Sequence, residues 1–289
     1  MTEIAGKVVI ITGGNTGIGK EAAVGLAGLG ARVVITSRNE ERGRSARQEI
    51  AERSGNDSVE VMSLDLASFT SIRSFAADVL DRFDHLDVLV NNAGLILYRR
   101  AETQEGFEET FGVNHLGPFL LTDLLLERLR ASAPARVVVV SSAAHKSARQ
   151  GLDFDDLQAE HKYRWAKAYG KSKLANIYFT RELARRLDGT GVTVNALHPG
   201  FVRSEFGRGG DLGGIYGWGI KYIASPFAIS PEKGARTTIY LASSPDVEGV
   251  TGGYFYKSKP STPSAVAQDD DAAARLWDAS EKLVASVPA

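Results

Sequence analysis

The first 36 residues constrain the fold more than any other stretch. Lys7-Val-Val-Ile-Ile-Thr12 is a short apolar, β-branched run and reads as a buried strand. Thr12-Gly-Gly-Asn-Thr-Gly-Ile-Gly19 follows at once, residues 20–29 have helical composition, and Ala31-Arg-Val-Val-Ile-Thr36 reads as a second strand. Strand, glycine-rich turn, helix and strand together form a setting that suits a dinucleotide's pyrophosphate. Glycines let the backbone approach the phosphates, and the helix N-terminus favours their charge. The spacing Gly13, Gly17, Gly19 departs from G-x-G-x-x-G, and a tight turn without a ligand is the plain alternative.

Further apolar runs near 59–63, 87–91, 136–140, 192–197 and 253–256 alternate with helical stretches. The alternation predicts an α/β chain, a doubly wound parallel sheet of about seven strands with helices on both faces, in one domain spanning 1–289. A chain of 289 residues that is 43% hydrophobic can bury a large core. A formal charge of −1 and no basic block argue against nucleic acid as the main partner. The chain has no cysteine, which removes disulfides, thiol nucleophiles and thiolate metal sites, and its five His residues show no metal-ligand spacing. No apolar run long enough to span a membrane is present, and the N-terminus leads straight into the first strand.

The chemistry is carried by Tyr169-Gly-Lys-Ser-Lys173. On a helix, positions i and i+4 share a face. A free phenol titrates near ~10, and a Lys cation beside it favours the phenolate, which makes the pair a candidate general acid/base for alcohol–ketone chemistry. Strand runs end at Thr12, Asn91, Ser141-Ser142 and Asn195, and in open α/β sheets ligands sit at such carboxyl ends. Of the two serines, Ser142 is the preferred partner for a substrate oxygen, since strand alternation points Ser141 elsewhere. The second strand ends in Ser37-Arg38 where an NAD site usually has a carboxylate. Arg38 suits a 2′-phosphate and Ser37 can donate to it, so NADP(H) is favoured over NAD(H). His145 reads as a loop residue and His198 as structural.

Taken together, these motifs resemble the short-chain dehydrogenase/reductase family over nearly the whole chain. The matching pieces are T-G-x-x-x-G-I-G (12–19), Asp65-Leu66, N-N-A-G (91–94), Asn114, Ser142, Y-x-x-x-K (169–173) and Pro199-Gly200. Residues 15–20, 141–145 and 171–177, with Arg275-Leu-Trp277, look like the retinol-dehydrogenase-like branch, similar also to the oxidoreductase domain of WW-domain oxidoreductase. The resemblance implies a Rossmann fold with Asn114, Ser142, Tyr169 and Lys173 as catalytic residues. Asn114 would support a proton relay through water, and Lys173 would also bind the nicotinamide ribose. It implies cofactor contacts from Gly13, Asn15, Thr16, Gly17, Ile18 and Gly19, from Asp65 and Leu66 at the adenine, and from Asn92, Ala93 and Gly94 at the adenosine ribose. Pro199, Gly200 and Val202 would flank the nicotinamide, with Ser204 near the pyrophosphate.

Two segments stand apart. Residues 201–230 are glycine-rich with interspersed aromatics and are expected to be a substrate lid. Residues 259–289 form a C-terminal extension ending in a helix near 272–286. The expected function is NADP(H)-dependent hydride transfer between the nicotinamide and a lipophilic alcohol or carbonyl of retinoid, steroid or aldehyde type. A non-catalytic NADP(H)-binding regulator and a protochlorophyllide-reductase-like enzyme remain as alternatives. Many relatives in this branch carry an N-terminal membrane anchor; this chain shows none, and a cytoplasmic enzyme is expected, with homo-oligomerisation left open.

Overall fold

A computed structural model describes residues 4–202 and 229–288. The strands among them are β1 (Val8–Ile11), β2 (Arg32–Ser37), β3 (Val59–Ser63), β4 (Val88–Asn91), β5 (Ala135–Val140), β6 (Val192–Leu197), β7 (Tyr254–Tyr256) and β8 (Lys259–Pro260). They form one eight-stranded sheet in the order β3-β2-β1-β4-β5-β6-β7-β8. All neighbours pair in parallel except β7 and β8. The eighth strand is the one element beyond the seven expected. Its two residues include Pro260, which suits only an edge, and its hairpin turn is Lys257-Ser258 at φ 51 and 57 instead of the usual Asn-Gly. Neither feature carries a strand signal in the sequence.

The helices are α1 (Gly17–Gly28), α2 (Glu40–Ser54), α3 (Phe69–Arg82), the single turn α4 (Glu109–Phe111), α5 (Gly117–Ala131), α6 (Trp165–Arg186), α7 (Pro231–Ser243) and α8 (Asp270–Ala285). A strand's period of two divides the core between the sheet's faces. Val8, Ile10, Val137 and Val139 face a cluster with Phe75, Leu120, Leu174 and Phe179. Val9, Ile11, Val138 and Val140 face one with Ala22, Leu26, Ile50 and Leu241. Each fully buried Leu, Ile or Phe contributes roughly 1.5–3 kcal/mol relative to exposure, so both layers of helices are held firmly onto the sheet. Side-chain caps set helix starts: Asn39 accepts from Arg42 N, Ser68 from Ser71 N and Asp269 from Ala272 N.

The strand order reverses between β1 and β4, and the crevice at the carboxyl ends of these two strands is where ligands bind in such sheets. Most of the expected lid, and Ser204 with it, lies outside the described residues. Among the described residues no helix is long and apolar enough to cross a membrane, and no group of three acidic, His or Cys residues could hold a metal.

Candidate functional site

The glycine turn is built for close approach. Gly13 and Gly17 take positive φ, 63 and 53. At Gly19 a Cβ would lie 2.5 Å from both Gly13 O and Asn92 Nδ2, so only glycine fits between the β1 and β4 turns. Thr12 stitches those turns together: its Oγ1 accepts from Asn92 N at 2.9 Å and Ala93 N at 3.0 Å, while Asn92 Nδ2 donates to Thr12 O at 2.8 Å. The N-terminus of α1 has no side-chain cap and no acidic residue in its first turn. Its backbone N–H groups and dipole are therefore left for an anion, which fits a dinucleotide's pyrophosphate.

At the end of β2, Arg38 extends into solvent with 65% of its side chain exposed; its nearest carboxylate, Asp65, is 4.0 Å away. Ser37 is placed differently from expectation. It is buried, and its hydroxyl donates to Asn39 O at 2.8 Å, where the chain turns into α2. That hydroxyl is already engaged, so Arg38 is the group that fits a 2′-phosphate. Asp65 Oδ1 accepts from Ala67 N at 3.0 Å, and the Leu66 side chain is in the core.

The catalytic candidates meet on the other side of the crevice. Ser142 follows β5, and its Oγ accepts from Ala144 N at 3.1 Å, which fixes the oxygen at the start of a 3₁₀ turn, Ala143–Ser147. Tyr169 lies on α6, within hydrogen-bonding reach of the Ser142 hydroxyl. One turn on, Lys173 is buried; its Nζ donates to Val140 O at 3.0 Å, and its backbone carbonyl accepts from Ser141 Oγ at 2.7 Å. The two serines thus point apart, the Ser141 hydroxyl to the Lys173 carbonyl and the Ser142 hydroxyl to the phenol.

Burial pushes the Tyr169 phenol up to about 12, with the Ser142 hydrogen bond pulling the other way. Burial also pulls the Lys173 ammonium down to about 8. The expected lowering of the phenol by Lys173 is not met. The ammonium stands 5.8 Å from the ring centroid and is turned to Val140 O, so desolvation dominates.

Asn114 sits in a π-helical turn, Gly112–Leu116, just ahead of α5. It is fully buried: Oδ1 accepts from Leu95 N at 2.7 Å, while Nδ2 donates to Leu95 O at 2.9 Å and Ser172 Oγ at 3.0 Å. Ser172 Oγ donates in turn to Tyr169 O at 2.9 Å. A Cβ on Gly94 would stand 3.0 Å from Asn114 Oδ1 and 3.3 Å from Lys173 Nζ, so these three residues adjoin. A π turn inside a helix often marks a functional site. Asn114 is therefore not a cap.

The Pro199-Gly200 turn closes the third side. Gly200 has φ 90, its N–H donates to His198 Nδ1 at 3.3 Å, and the His198 ring stacks on Tyr256 at 4.0 Å. Val202 and Ile18 both pack at Gly234, which sets this turn beside the start of α1. Asn91 and Asn195 do not join the site: Asn91 Nδ2 donates to Thr122 Oγ1 and Asn195 Nδ2 to Val250 O.

Three residues escaped the sequence reading. His145, read as a loop residue, is fully buried: Nδ1 donates to Ser142 O at 2.7 Å and Nε2 accepts from Ser264 N at 3.1 Å, clamping the Ser142 turn to the C-terminal segment. Ser172 links Tyr169 to Asn114. Gly170 lets α6 approach the Ser142 turn, since a Cβ there would be 2.9 Å from Ala144 O and would overlap Ser147 Oγ. A glycine inside a helix next to the tyrosine was a readable signal; the other two depend on distant partners.

A family model described as short chain dehydrogenase matches residues 7–153 and 157–209. Retinol dehydrogenase 12 of Mus musculus is 49% identical over 282 residues, covering 98% of this chain and 87% of the relative. A crystal structure of an uncharacterized protein from Mycobacterium paratuberculosis aligns with a TM-score of 0.78 and 34% identity, over 99% of this chain and 96% of that one. The RhlG/NADP active-site complex of Pseudomonas aeruginosa aligns with a TM-score of 0.69 and 29% identity, over 87% and 94%.

Proposed function

The chain belongs to the short-chain dehydrogenase family, and from that premise we propose that it is an NADP(H)-dependent oxidoreductase interconverting a lipophilic alcohol and its carbonyl. The observation that carries this reading is the convergence of Ser142, Tyr169, Lys173 and Asn114 beside the glycine turn. A bound nicotinamide supplies or accepts the hydride. The protein's own residues handle the proton and the geometry. Ser142 holds the substrate oxygen against the phenol. Tyr169 gives its proton to a carbonyl oxygen in reduction and takes it back from the alcohol in oxidation. Lys173 and Asn114 adjoin behind Tyr169 and form the route by which the proton is replaced.

Arg38, exposed and only loosely paired, supports NADP(H) over NAD(H), as does the NADP of the RhlG complex. The retinol in the relative's name, and the apolar Leu95-Ile-Leu97 beside Asn114, support a lipophilic substrate. The test is substrate-dependent oxidation of NADPH and NADH across a panel of aldehydes and ketones, with Tyr169→Phe alongside. The variant keeps the ring and loses the proton, so kcat should fall by about 10²–10⁴-fold while NADPH still binds. Wild-type kcat in Tyr169→Phe, with chemistry rate-limiting, would overturn the assignment.

A further inference from the structure

We propose that Tyr98 and Trp165 form an aromatic shelf that receives the end of the substrate remote from the reacting oxygen and selects flat, π-rich tails over saturated ones. The proposal rests on the oxidoreductase reading above. Trp165 opens α6 one helical turn before Tyr169, four residues away, so the two share a face. At ~1.5 Å per residue the shelf begins about 6 Å along the helix from the acid/base. Tyr98 packs against the indole at 4.9 Å between centroids, tilted by 45°.

The shelf is held on both sides. Leu95, three residues before Tyr98, makes two hydrogen bonds from its backbone N–H and carbonyl to the side-chain amide of Asn114. Leu97 O accepts from the Tyr163 hydroxyl at 2.6 Å, and Tyr163 OH also meets Thr110 Oγ1 at 3.3 Å. Arg100 Nε donates to Gln158 O at 3.1 Å. The segment carrying Tyr98 is thereby pinned at its start, middle and end, its start directly to Asn114.

Despite this support, the indole is left 37% exposed, and Phe201, beyond the Pro199-Gly200 turn, is 55% exposed. An aromatic face kept open one helical turn from the acid/base matches the make-up of ligand sites, in which apolar walls surround a few placed polar groups. Structure maintenance alone would explain the Tyr98–Trp165 pair but not its exposure within one turn of Tyr169. An aromatic face adds stacking to plain area burial, and the addition is worth roughly two- to tenfold in binding. A saturated chain of the same length gains only the area.

The test compares cinnamaldehyde, nonanal of equal carbon number, and propanal as substrates of the wild type, Trp165→Ala, Trp165→Phe and Tyr98→Ala. In Trp165→Ala, KM for cinnamaldehyde should rise about tenfold, well beyond the changes for nonanal and propanal, with kcat altered less than KM. Trp165→Phe should recover most of the loss, because it restores an aromatic face. Equal changes across the three aldehydes, or no rescue by Phe, overturns the shelf. Binding of cinnamyl alcohol without cofactor gives a second readout. Quenching of tryptophan emission present in the wild type and lost in Trp165→Phe supports the shelf even if no aldehyde is turned over, in which case the oxidoreductase reading alone fails. Identical quenching in both proteins counts against the shelf.

Discussion

Gly170→Ala tests how closely the active-site turn is packed. The added Cβ would lie 2.9 Å from Ala144 O and overlap Ser147 Oγ. The Ser147 hydroxyl is exposed and can swing aside, giving up its bond to Ala144 O. The Ala144 carbonyl cannot, because it belongs to the turn whose Ala144 N–H holds Ser142 Oγ at 3.1 Å. That turn must therefore retreat by a few tenths of an ångström, and Ser142 moves with it. Overpacking costs roughly 1–3 kcal/mol, and replacing an interior helical glycine by alanine returns up to about 1 kcal/mol. The net loss is then about 0–2 kcal/mol, a Tm decrease of up to ~6 °C for a chain of this size. Activity should suffer more than stability. A misplacement of ~1 Å costs about 10²-fold, so a smaller shift of Ser142 against Tyr169 should lower kcat by about tenfold. The assay is steady-state NADPH oxidation with a carbonyl substrate, run with thermal unfolding of Gly170→Ala, Ser147→Ala and the double variant. The double variant should regain stability, because one of the two clashes is gone. It should regain kcat only in part, because the Ala144 contact remains. Wild-type kcat and Tm in Gly170→Ala would refute the packing argument.

Three further outcomes follow from the geometry. Arg38→Asp should weaken NADPH binding and improve NADH relative to it, since the carboxylate repels a 2′-phosphate and accepts from a 2′-hydroxyl; titrating both cofactors into both proteins checks this, and a wild-type preference for NADH would contradict the role given to Arg38. Asn114→Ala leaves Leu95 N–H, Leu95 O and Ser172 Oγ without their partner in a buried site, and should cost roughly 2–5 kcal/mol in denaturant unfolding; a loss under about 1 kcal/mol would show that water replaces the amide. His115 should make the protein acid-sensitive. Burial pulls its imidazole to about 3 against a hydrogen bond with Asn176, whereas the unfolded residue titrates near 6.5. The unfolded state therefore binds the extra proton between these values, so this stability is full above 6.5 and lost as pH falls toward 3. The slope is about 1.4 kcal/mol per pH unit, and His115→Gln should remove that much from the acid limb of a stability profile; identical slopes would contradict the assignment.

Local pattern was enough for much of this protein. Apolar runs marked the first seven strands, and at the centre of the sheet the run is apolar on both faces, as at Val137 to Val140, because a buried parallel strand has core on either side. The glycines of residues 13–19 marked the tight turn between β1 and α1 because only they tolerate its torsions and close approach. A four-residue spacing placed Tyr169 and Lys173 on one helical face. Each of these follows from chain geometry over a few residues. Hydrogen-bond partners and burial, in contrast, come from residues far away in the chain. Asn114 reaches Tyr169 through Ser172, 58 positions on, and His145 holds the Ser142 turn to Ser264, 119 positions on. The Ser37 hydroxyl turned to Asn39, and the Tyr169 phenol rose instead of falling. Sequence spacing sets which side chains can share a face, but only the assembled fold sets how much water each group loses and what replaces it, and that exchange decides a proton's affinity and a hydroxyl's direction.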